Sequence, residues 1–560
     1  MARPGHPRLP CSVVRSGHAV DQWRRAVVNA NTNRFDWLSE FLVRCEEATI
    51  PVRGSDARAL APAHLLHLDA EDWGRAAAVA RELDCRWCAL WAEQPDAETL
   101  QVNACLSREG DYLVLRTAVP LATPVLPSHT PVYPAANRPE RHARDLFGLV
   151  FSDHPDPRRW TRHQAWGEGE YPLRYDFPAH SEGKGETLPD SDYPFFQAEG
   201  SGVYEIPVGP VHAGIIEPGH FRFQAVGETV LNLEERLGYV HKGIEKLAEG
   251  RTPEALARLA GRVSGDTTVA HAWAACQAME RAAGVTVSPR ALAIRAVLAE
   301  RERIANHLGD IGAICNDVGF AFAQMQCSRL REEWLRGNRS VFGHRLLMDR
   351  IMPGGVWRGL TPQCAQLLLA GNAVLREELD QLLPILDDHP SLEDRLLGTG
   401  VLPAETAVTL GVVGYLGKAS GQDHDLRRDH AYAPYDRLAV NSPCLQAGDV
   451  AARVQVRAAE IRDSLALLDR LLKRLPSGEP RTEWQQPADG AEGLGLVEGW
   501  RGEIVAHVRF GADGRIARFF PRDPSWLNWP ALEQLIHGNI VPDFPVCNKS
   551  VNGSYSGQDL

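Results

Sequence analysis

The sequence predicts an α+β chain in two parts: a small N-terminal α/β domain, then a larger, mainly helical domain with small β elements. Three observations carry that expectation. Residues 70–84 place apolar side chains at helical spacing, whereas 86–93, 98–106 and 111–119 read as strands separated by polar turns. Residues 178–200 are rich in Pro, Gly, Ser and acid, the composition of an exposed connection. Beyond them, helical patterns run over 229–249, 267–283, 289–317, 322–340, 364–387 and 444–474, several bounded by Gly or Pro. The expected division is therefore 1–177, a linker at 178–200, and 201–560; a chain of 560 residues is long enough for each part to bury its own core.

A second soft segment at 476–493 precedes an expected hairpin, in which Asp513-Gly514 joins EIVAHVRF to RIARFF. The formal charge is −12, with 60 basic residues spread among 72 acidic ones, so there is no basic stripe and nucleic acid is excluded as a partner. No stretch approaches the ~20 apolar residues of a membrane span, and the start lacks the apolar core of a signal peptide. The expectation is a cytoplasmic chain that meets a membrane only through partners. Eleven scattered cysteines in such a chain argue for reduced thiols. Only Cys85 and Cys88 form a CxxC, with no second pair at a zinc-like distance, and RWCALW reads as a buried strand in which they are packed small residues rather than metal ligands.

The segment LPSHTPVYPAANRPERHARDLFGLVFSDHPDPRRW (126–160), followed by GEYPLRYDF (169–177), resembles the signature of the C component of complex I in order and spacing. The resemblance implies a small α/β domain docked on the D component. Glu140, Arg141, Asp145, Phe147, Gly148, His154, Pro155 and Arg174 match the pattern as structural and interface residues. Read from the residues alone, Arg141, Arg144, Asp145 and Asp153 are surface or loop-fixing ion pairs, about a kcal/mol or less each where exposed.

The next part opens with GPVHAGIIEPGHFRF (209–223) and LGYVHKGIEKLAEG (237–250), similar to the start of the hydrogenase large subunit and of the D component of complex I. Further matches are RAVLAERERIANHLGDIG, GKASGQDHDLRRDHAY, VEGWRGE and RDPSWLNWPALEQLIHGNIVPDFP. The whole resembles the fused C/D-type subunit of complex I and of membrane-bound group 4 NiFe hydrogenases such as formate hydrogenlyase. The departures fall on the chemistry. Where the hydrogenase pattern is R-x-C-G-x-C, this chain has Arg262-Val263-Ser264-Gly265-Asp266-Thr267, and the C-terminal D-P-C-x-x-C falls on Asn552-Gly553-Ser554-Tyr555-Ser556-Gly557. Hydroxyls are hard, weak donors that ionise far above pH 7, so nickel loses the soft thiolates it needs and hydrogen turnover is not expected. Locally, Ser264 or Asp266 reads as an N-cap for the following helix.

Complex I also lacks those cysteines, and there a quinone headgroup lies between a loop histidine and a tyrosine. His212 stands at the histidine position, with His220 as second candidate, but the tyrosine position falls on Gly265; Tyr555 is an aromatic that could come from elsewhere. Ser264, Gly265, Thr267 and Ser554 would line the degenerate NiFe or quinone-like cavity. Arg501 matches the arginine near the hydrogenase active site, and Glu217 the acid that passes protons there. A carboxyl against Ile215 and Ile216 would have a raised pKa suited to a relay, and the alternative is a loop carboxylate paired with Arg222. His241 and Glu245 fall one helical turn apart, a structural pair or a proton step. The run Gln422–His430 is dense in ligand types, but its alternating charges are more simply satisfied among themselves. In it Asp425 and Arg427 match a family D-x-R, while Lys418 stands where many relatives have arginine, keeping the charge without the bidentate geometry.

Two functions follow from the resemblance. One is an oxidoreductase component, peripheral on the inner face of the cytoplasmic membrane. It would bind no cofactor itself and would work beside a B-like small subunit bringing an iron–sulfur cluster, with antiporter-like and H-like proteins of the membrane arm as further partners and quinone or another acceptor as substrate. The other is a non-redox coupling or scaffold component of an ion-translocating complex. Association with NADH would come from the assembly, because no glycine-rich dinucleotide loop follows a strand in this chain.

Overall fold

The computed structural model describes residues 36–163, 166–167, 169–179, 192–213 and 216–560. Most of the 178–200 connection, the chain start and Ile215 lie outside the described residues. The N-terminal part comprises α1 (Asp36–Glu47), β1 (Val52–Asp56), β2 (Ala63–Leu68), α2 (Trp73–Glu82), β3 (Arg86–Glu93), β4 (Thr99–Arg108), β5 (Asp111–Pro120) and α3 (Asn137–Phe147). Its sheet has the order β1-β2-β5-β4-β3, with β2 and β5 parallel and the other pairs antiparallel. Trp73, Leu90, Leu106 and Leu115 fill the core beneath it. Cys85 and Cys88 are fully buried; Cys88 Sγ lies 3.3 Å from Ser107 Oγ, as expected of packed residues.

The signature residues bind loops to α3. Glu140, wholly buried, accepts from Ser128 Oγ, His129 N and Thr130 Oγ1 at 2.5, 2.6 and 2.8 Å, and Asp145 accepts from Trp160 N at 2.6 Å. Arg141 reaches Asp156 at 2.8 Å and Tyr193 Oη at 2.8 Å. Arg141 and Asp145 are buried, so they fix loops and are not the surface pairs that the sequence also allowed.

The second part begins with an antiparallel sheet of β6 (Val203–Val208), β7 (His220–Val226) and β8 (Thr229–Arg236). This corrects the helix expected over 229–249, of which only Ile244–Ala248 is helical. TVLNLEER pairs with HFRFQAV and buries Val230 and Leu233 beside Phe221 and Phe223, so strand pairing overrides a weak helical period. The long helices agree with the sequence: α4 (Thr268–Ala282), α5 (Pro289–Asp317), α6 (Ala321–Phe342), α7 (Pro362–Asp387) and α8 (Val450–Lys473). Helix α5 is buried on nearly every side and packs between α6 and α8.

A closing antiparallel sheet of β9 (Glu492–Gly499), β10 (Gly502–Phe510) and β11 (Ile516–Arg522) includes the expected Asp513-Gly514 hairpin. Helix α4 lies directly on β9. A Cβ at Gly493 or Gly495 would meet the carbonyl oxygens of Ala278 and Ala274 at 2.2 and 1.9 Å, so only glycine lets strand and helix approach this closely. That contact seats the middle and C-terminal half of α4 on the strand. The chain then forms α9 (Ser525–Leu535), α10 (Phe544–Val551) and α11 (Tyr555–Asp559).

The two parts are joined by ion pairs that cross between their sheets. Arg116 of β5 grips Glu492 with both terminal nitrogens at 2.7 Å, Arg509 meets Glu93 at 2.6 Å, and His142 Nε2 lies 2.8 Å from Glu245. Glu245 therefore faces α3 and Arg518, not His241, whose Nδ1 lies 2.7 Å from Asp559 O ahead of the short helix. The expected one-turn pair is not formed. Among the described residues no helix is long and apolar enough to cross a membrane.

Candidate functional site

Three segments converge where the sequence places the degenerate thiolate positions: the loop 262–267 entering α4, the β9–β10 turn carrying Trp500 and Arg501, and residues 552–557 between α10 and α11. Asp266 is the hub. Arg501 Nη1 and Nη2 each donate to one of its oxygens at 2.7 Å, Ser264 Oγ donates at 2.7 Å and Thr267 Oγ1 at 3.0 Å. Arg501 Nε donates to Asn552 O at 2.7 Å, its guanidinium lies 3.9 Å over the Trp500 ring, and Trp500 Nε1 donates to Asp266 O at 3.1 Å. Burial alone would raise the Asp266 carboxyl. The guanidinium and the two hydroxyls overcome that and hold it well below the usual carboxylate range.

Ser264 Oγ and Ser554 Oγ stand 2.8 Å apart, so the first position of each expected cysteine pair does meet its counterpart. The fourth position is closed: a Cβ on Gly557 would lie 2.6 Å from Asp523 Cγ, and Asp523 is pinned by His271 Nε2 at 2.7 Å and Ser525 N at 2.8 Å. Two serine hydroxyls, a threonine hydroxyl and a glycine therefore stand at the four positions, and the Arg501–Asp266 ion pair binds two of those hydroxyls. This donor set does not fit a nickel–iron centre.

The N-terminus of α4 is not capped by Ser264 or Asp266, as the sequence suggested. Thr267 is the N-cap and its side chain makes no capping bond. Glu302 of α5 takes that role from across the core, accepting from Val269 N at 2.7 Å and Ala270 N at 3.2 Å. Asp266 is drawn away by Arg501, and the free N–H groups take the next carboxylate. Burial pushes Glu302 up to about 8 despite those two donors. Asn306, one turn on, holds Asp266 O at 2.7 Å.

Beside this cluster lies the loop 209–219. Tyr555 Oη is 3.2 Å from His212 Nε2, and His212 Nδ1 is 3.1 Å from Pro210 O. A carbonyl can only accept, so Nδ1 carries the hydrogen, and with the ring in that tautomer Nε2 accepts from the tyrosine hydroxyl. Burial pushes the Tyr555 phenol up, so it stays protonated at neutral pH. The ring is placed by Gly219, where a Cβ would come within 2.4 Å of Tyr555 Cε1. Tyr555 is 5% exposed and His212 half-buried, leaving the imidazole edge open. Gly265 is exposed, and a Cβ there would touch only Met348 at 3.9 Å.

Glu217 is exposed, not enclosed as a buried relay carboxyl would be. Its Oε2 accepts from Ser556 N at 3.0 Å, and Arg222 pairs with Glu205 instead, at 3.0 Å. His220 stays outside the cluster, with Nδ1 3.4 Å from Gly209 O and its ring against Phe195. The Gln422–His430 run is satisfied only in part among its own residues, by Arg428 with Asp423 and Asp429 and by Arg427 with Asp425; Arg427 also meets Glu300, and Lys418, wholly buried and outside the run, bridges Asp425 at 2.6 Å and Glu460 at 2.7 Å. Glu302 and the full role of Asp266 escaped the sequence reading. The signal for Glu302 was the run Glu300-Arg301-Glu302-Arg303 inside an otherwise apolar helical stretch.

Comparison with known proteins covers both parts of the chain. The family description "Respiratory-chain NADH dehydrogenase, 30 Kd subunit" matches residues 66–183, "49 Kd subunit" of the same enzyme matches 317–489, and "Nickel-dependent hydrogenase" matches 242–309. Hydrogenase-4 component G of Escherichia coli is 35% identical over 82% of this chain and 80% of its own. The fused C/D subunit of an NADH-quinone oxidoreductase from Phocaeicola vulgatus is 30% identical over 76% and 84%. Among solved structures, a chain of the membrane-bound sulfane sulfur reductase, an archaeal respiratory membrane complex, superposes with a TM-score of 0.60 at 26% identity, covering 64% of this chain and 98% of that one.

Proposed function

Because the chain belongs to the family of complex I C/D-type subunits and hydrogenase large subunits, components of membrane oxidoreductase complexes, we propose that it forms the acceptor-binding wall of such a complex, with His212 and Tyr555 holding the headgroup of a quinone or a similar two-electron acceptor. The observation that carries this reading is the 3.2 Å contact between Tyr555 Oη and His212 Nε2 beside the 264–267 loop. A carbonyl oxygen inserted between them would exchange that bond for two: one from the phenol and one from an imidazole that had gained a proton. Electrons would come singly from an iron–sulfur cluster on a B-like partner facing the 212–220 and 264–271 loops, and each quinone would take two electrons and two protons to become a quinol. The assembly would lie on the cytoplasmic face of the membrane. Nickel has no part in this proposal, since the donor set at 264, 267, 554 and 557 does not suit it.

The test is dye-driven quinone reduction by the intact complex, with dithionite-reduced methyl viologen as donor and decylubiquinone as acceptor. Tyr555→Phe and His212→Ala should each lower turnover tenfold or more while the complex stays assembled on native gels. Turnover unchanged in both would sink the proposal. The second reading, a coupling component without redox chemistry, is favoured by the Arg501–Asp266 pair, whose carboxylate takes up the hydroxyls of Ser264 and Thr267. It predicts no turnover in the unmodified complex with any acceptor, although the assembly remains together.

A further inference from the structure

Arg301, on the face of α5 turned to α6 and α7, is 2% exposed, yet among the described residues no carboxylate pairs with it. Its Nε donates to Asn338 Oδ1 and its Nη2 to Trp334 O at 3.3 Å, and the guanidinium lies 3.7 Å over the Trp334 ring. Nη1 has no acceptor among the described residues. Arg295, Arg303, Arg427, Arg457 and Arg501, just as deeply buried in the same domain, each meet a carboxylate. Burial, with nothing to oppose it, draws the Arg301 guanidinium down to about 9. Arg453, also wholly buried, meets no carboxylate among the described residues, but its Nε, Nη1 and Nη2 each find a neutral acceptor in Ser550 Oγ, Gly448 O and Gly400 O; Arg301 leaves Nη1 without one, and a buried charge so left is costly.

The residue lines a groove of about 290 Å³ between α6 and α7, walled by Leu330, Trp334, Leu368 and Leu375 and rimmed by Leu367 and Val374, each 55% exposed. Glu333, at its edge, is engaged with Arg329 at 3.2 Å. Two mid-helical glycines, Gly337 and Gly371, face the same groove. A Cβ on Gly371 would touch nothing, and one on Gly337 only Arg301 Nη2 at 3.4 Å, so neither glycine is required by packing within this chain. Each costs about 1 kcal/mol against alanine in a helix interior. Glycines so placed allow another backbone to come close. The groove is smaller than the roughly 300–1,000 Å³ typical of cofactor pockets and suits a few side chains better.

We infer that this groove docks an aliphatic helix of another subunit of the complex, whose single Asp or Glu side chain enters between Gly337 and Gly371 to neutralise Arg301. The exposed spacing 367, 371, 374 on α7 is the i, i+4, i+7 stripe against which such a helix packs. The inference rests on the chain's membership of a multisubunit family and is independent of the quinone reading.

The test uses the intact complex carrying a photoreactive p-benzoylphenylalanine at Leu367 or Val374. After irradiation, cross-linked peptides should come from one other subunit and contain an acidic residue among aliphatic ones. Cross-links only within this chain, to lipid, or to a segment without a carboxylate would overturn the inference. Arg301→Met and Gly371→Leu provide the second arm. Both should cut retention of the cross-linked partner tenfold or more, while Arg301→Met leaves the melting temperature of the isolated full chain unchanged or higher. A lower melting temperature with the partner retained would make Arg301 a purely internal structural residue and refute the docking.

Discussion

Replacing Glu302 with glutamine should change how stability depends on pH, and the size of that change follows from the structure. In the folded chain burial raises this carboxyl to about 8, against an ordinary 4.5. The folded state therefore keeps a proton that the unfolded state releases. A group raised in this way contributes its full stability below the unfolded value, and that contribution drains away as pH climbs toward the folded value, at about 1.4 kcal/mol per pH unit. Between pH 6 and 8 the wild type should lose about 2 kcal/mol from this residue alone. Glutamine cannot ionise, so it has no such slope, but with one acceptor oxygen it serves Val269 N and Ala270 N less well, at a cost of about 1 kcal/mol. By pH 6 the wild type has already lost about 2 kcal/mol of that contribution, so Glu302→Gln should be more stable than wild type by about 1 kcal/mol at pH 6 and about 3 kcal/mol at pH 8, the two curves crossing at about pH 5. Urea unfolding followed by tryptophan fluorescence across this range reads the difference directly. Parallel curves from pH 6 to 8 would show that Glu302 is not held protonated at the start of α4 and would refute the account of that helix end.

Other parts of the site give further expectations. Gly557→Ala should destabilise the chain by about 1–3 kcal/mol in the same assay, because its Cβ would press on an Asp523 that His271 and Ser525 prevent from moving. Installing Ser264→Cys, Thr267→Cys, Ser554→Cys and Gly557→Cys together in a hydrogenase-maturing host should leave nickel absent from the purified chain by elemental analysis, since Asp266 stays paired with Arg501 and the fourth thiol has no room; stoichiometric nickel would contradict this. Lys418→Met should cost about 3–5 kcal/mol, because it strips a wholly buried cation from Asp425 and Glu460. Arg501→Leu should cost less, about 1–2 kcal/mol, because Asp266 keeps 37% of its side chain accessible and its two hydroxyl donors.

What could be read in the sequence was set by local pattern or by fixed motif spacing. The strands at 86–93 and 111–119 and the helices at 289–317 and 364–387 announce themselves because one periodicity persists over their length. The stretch 229–249 does not: Val230, Leu233, Leu237 and Val240 fit a helical stripe, and only pairing with the strand 220–226, invisible to a local reading, decides against it. The cluster at 264–267 was legible as a place of interest, because the motif spacing marks Ser264 and Thr267 and the structure brings Ser264 to Ser554. What holds that cluster together was not legible. Asp266 reads locally as a helix cap, and its true partner, Arg501, lies 235 residues away. Tyr555 is similar. The sequence offers it as an aromatic near the end of the chain, but its distance from His212 depends on how α11 packs against Gly219.

The positions that the motif spacing marks are knit together by hydrogen bonds. The Asp266 carboxylate has a guanidinium and two hydroxyls around it, and those same contacts tie the start of α4 to the β9–β10 turn and, through Asn552, to the segment between α10 and α11. This contact set accounts for the mutual placement of the three segments. It also explains why His212 and Tyr555 remain aligned at the edge of the site: Ser554, which meets Ser264 across the cluster, caps the short helix that carries Tyr555, with Gly557 N donating to its Oγ at 2.9 Å. The Asp266 cluster and the His212–Tyr555 pair are thus mechanically one unit. Weakening the cluster by Arg501→Leu should then lower quinone turnover more than stability, whereas equal losses in both would mean that the two are independent.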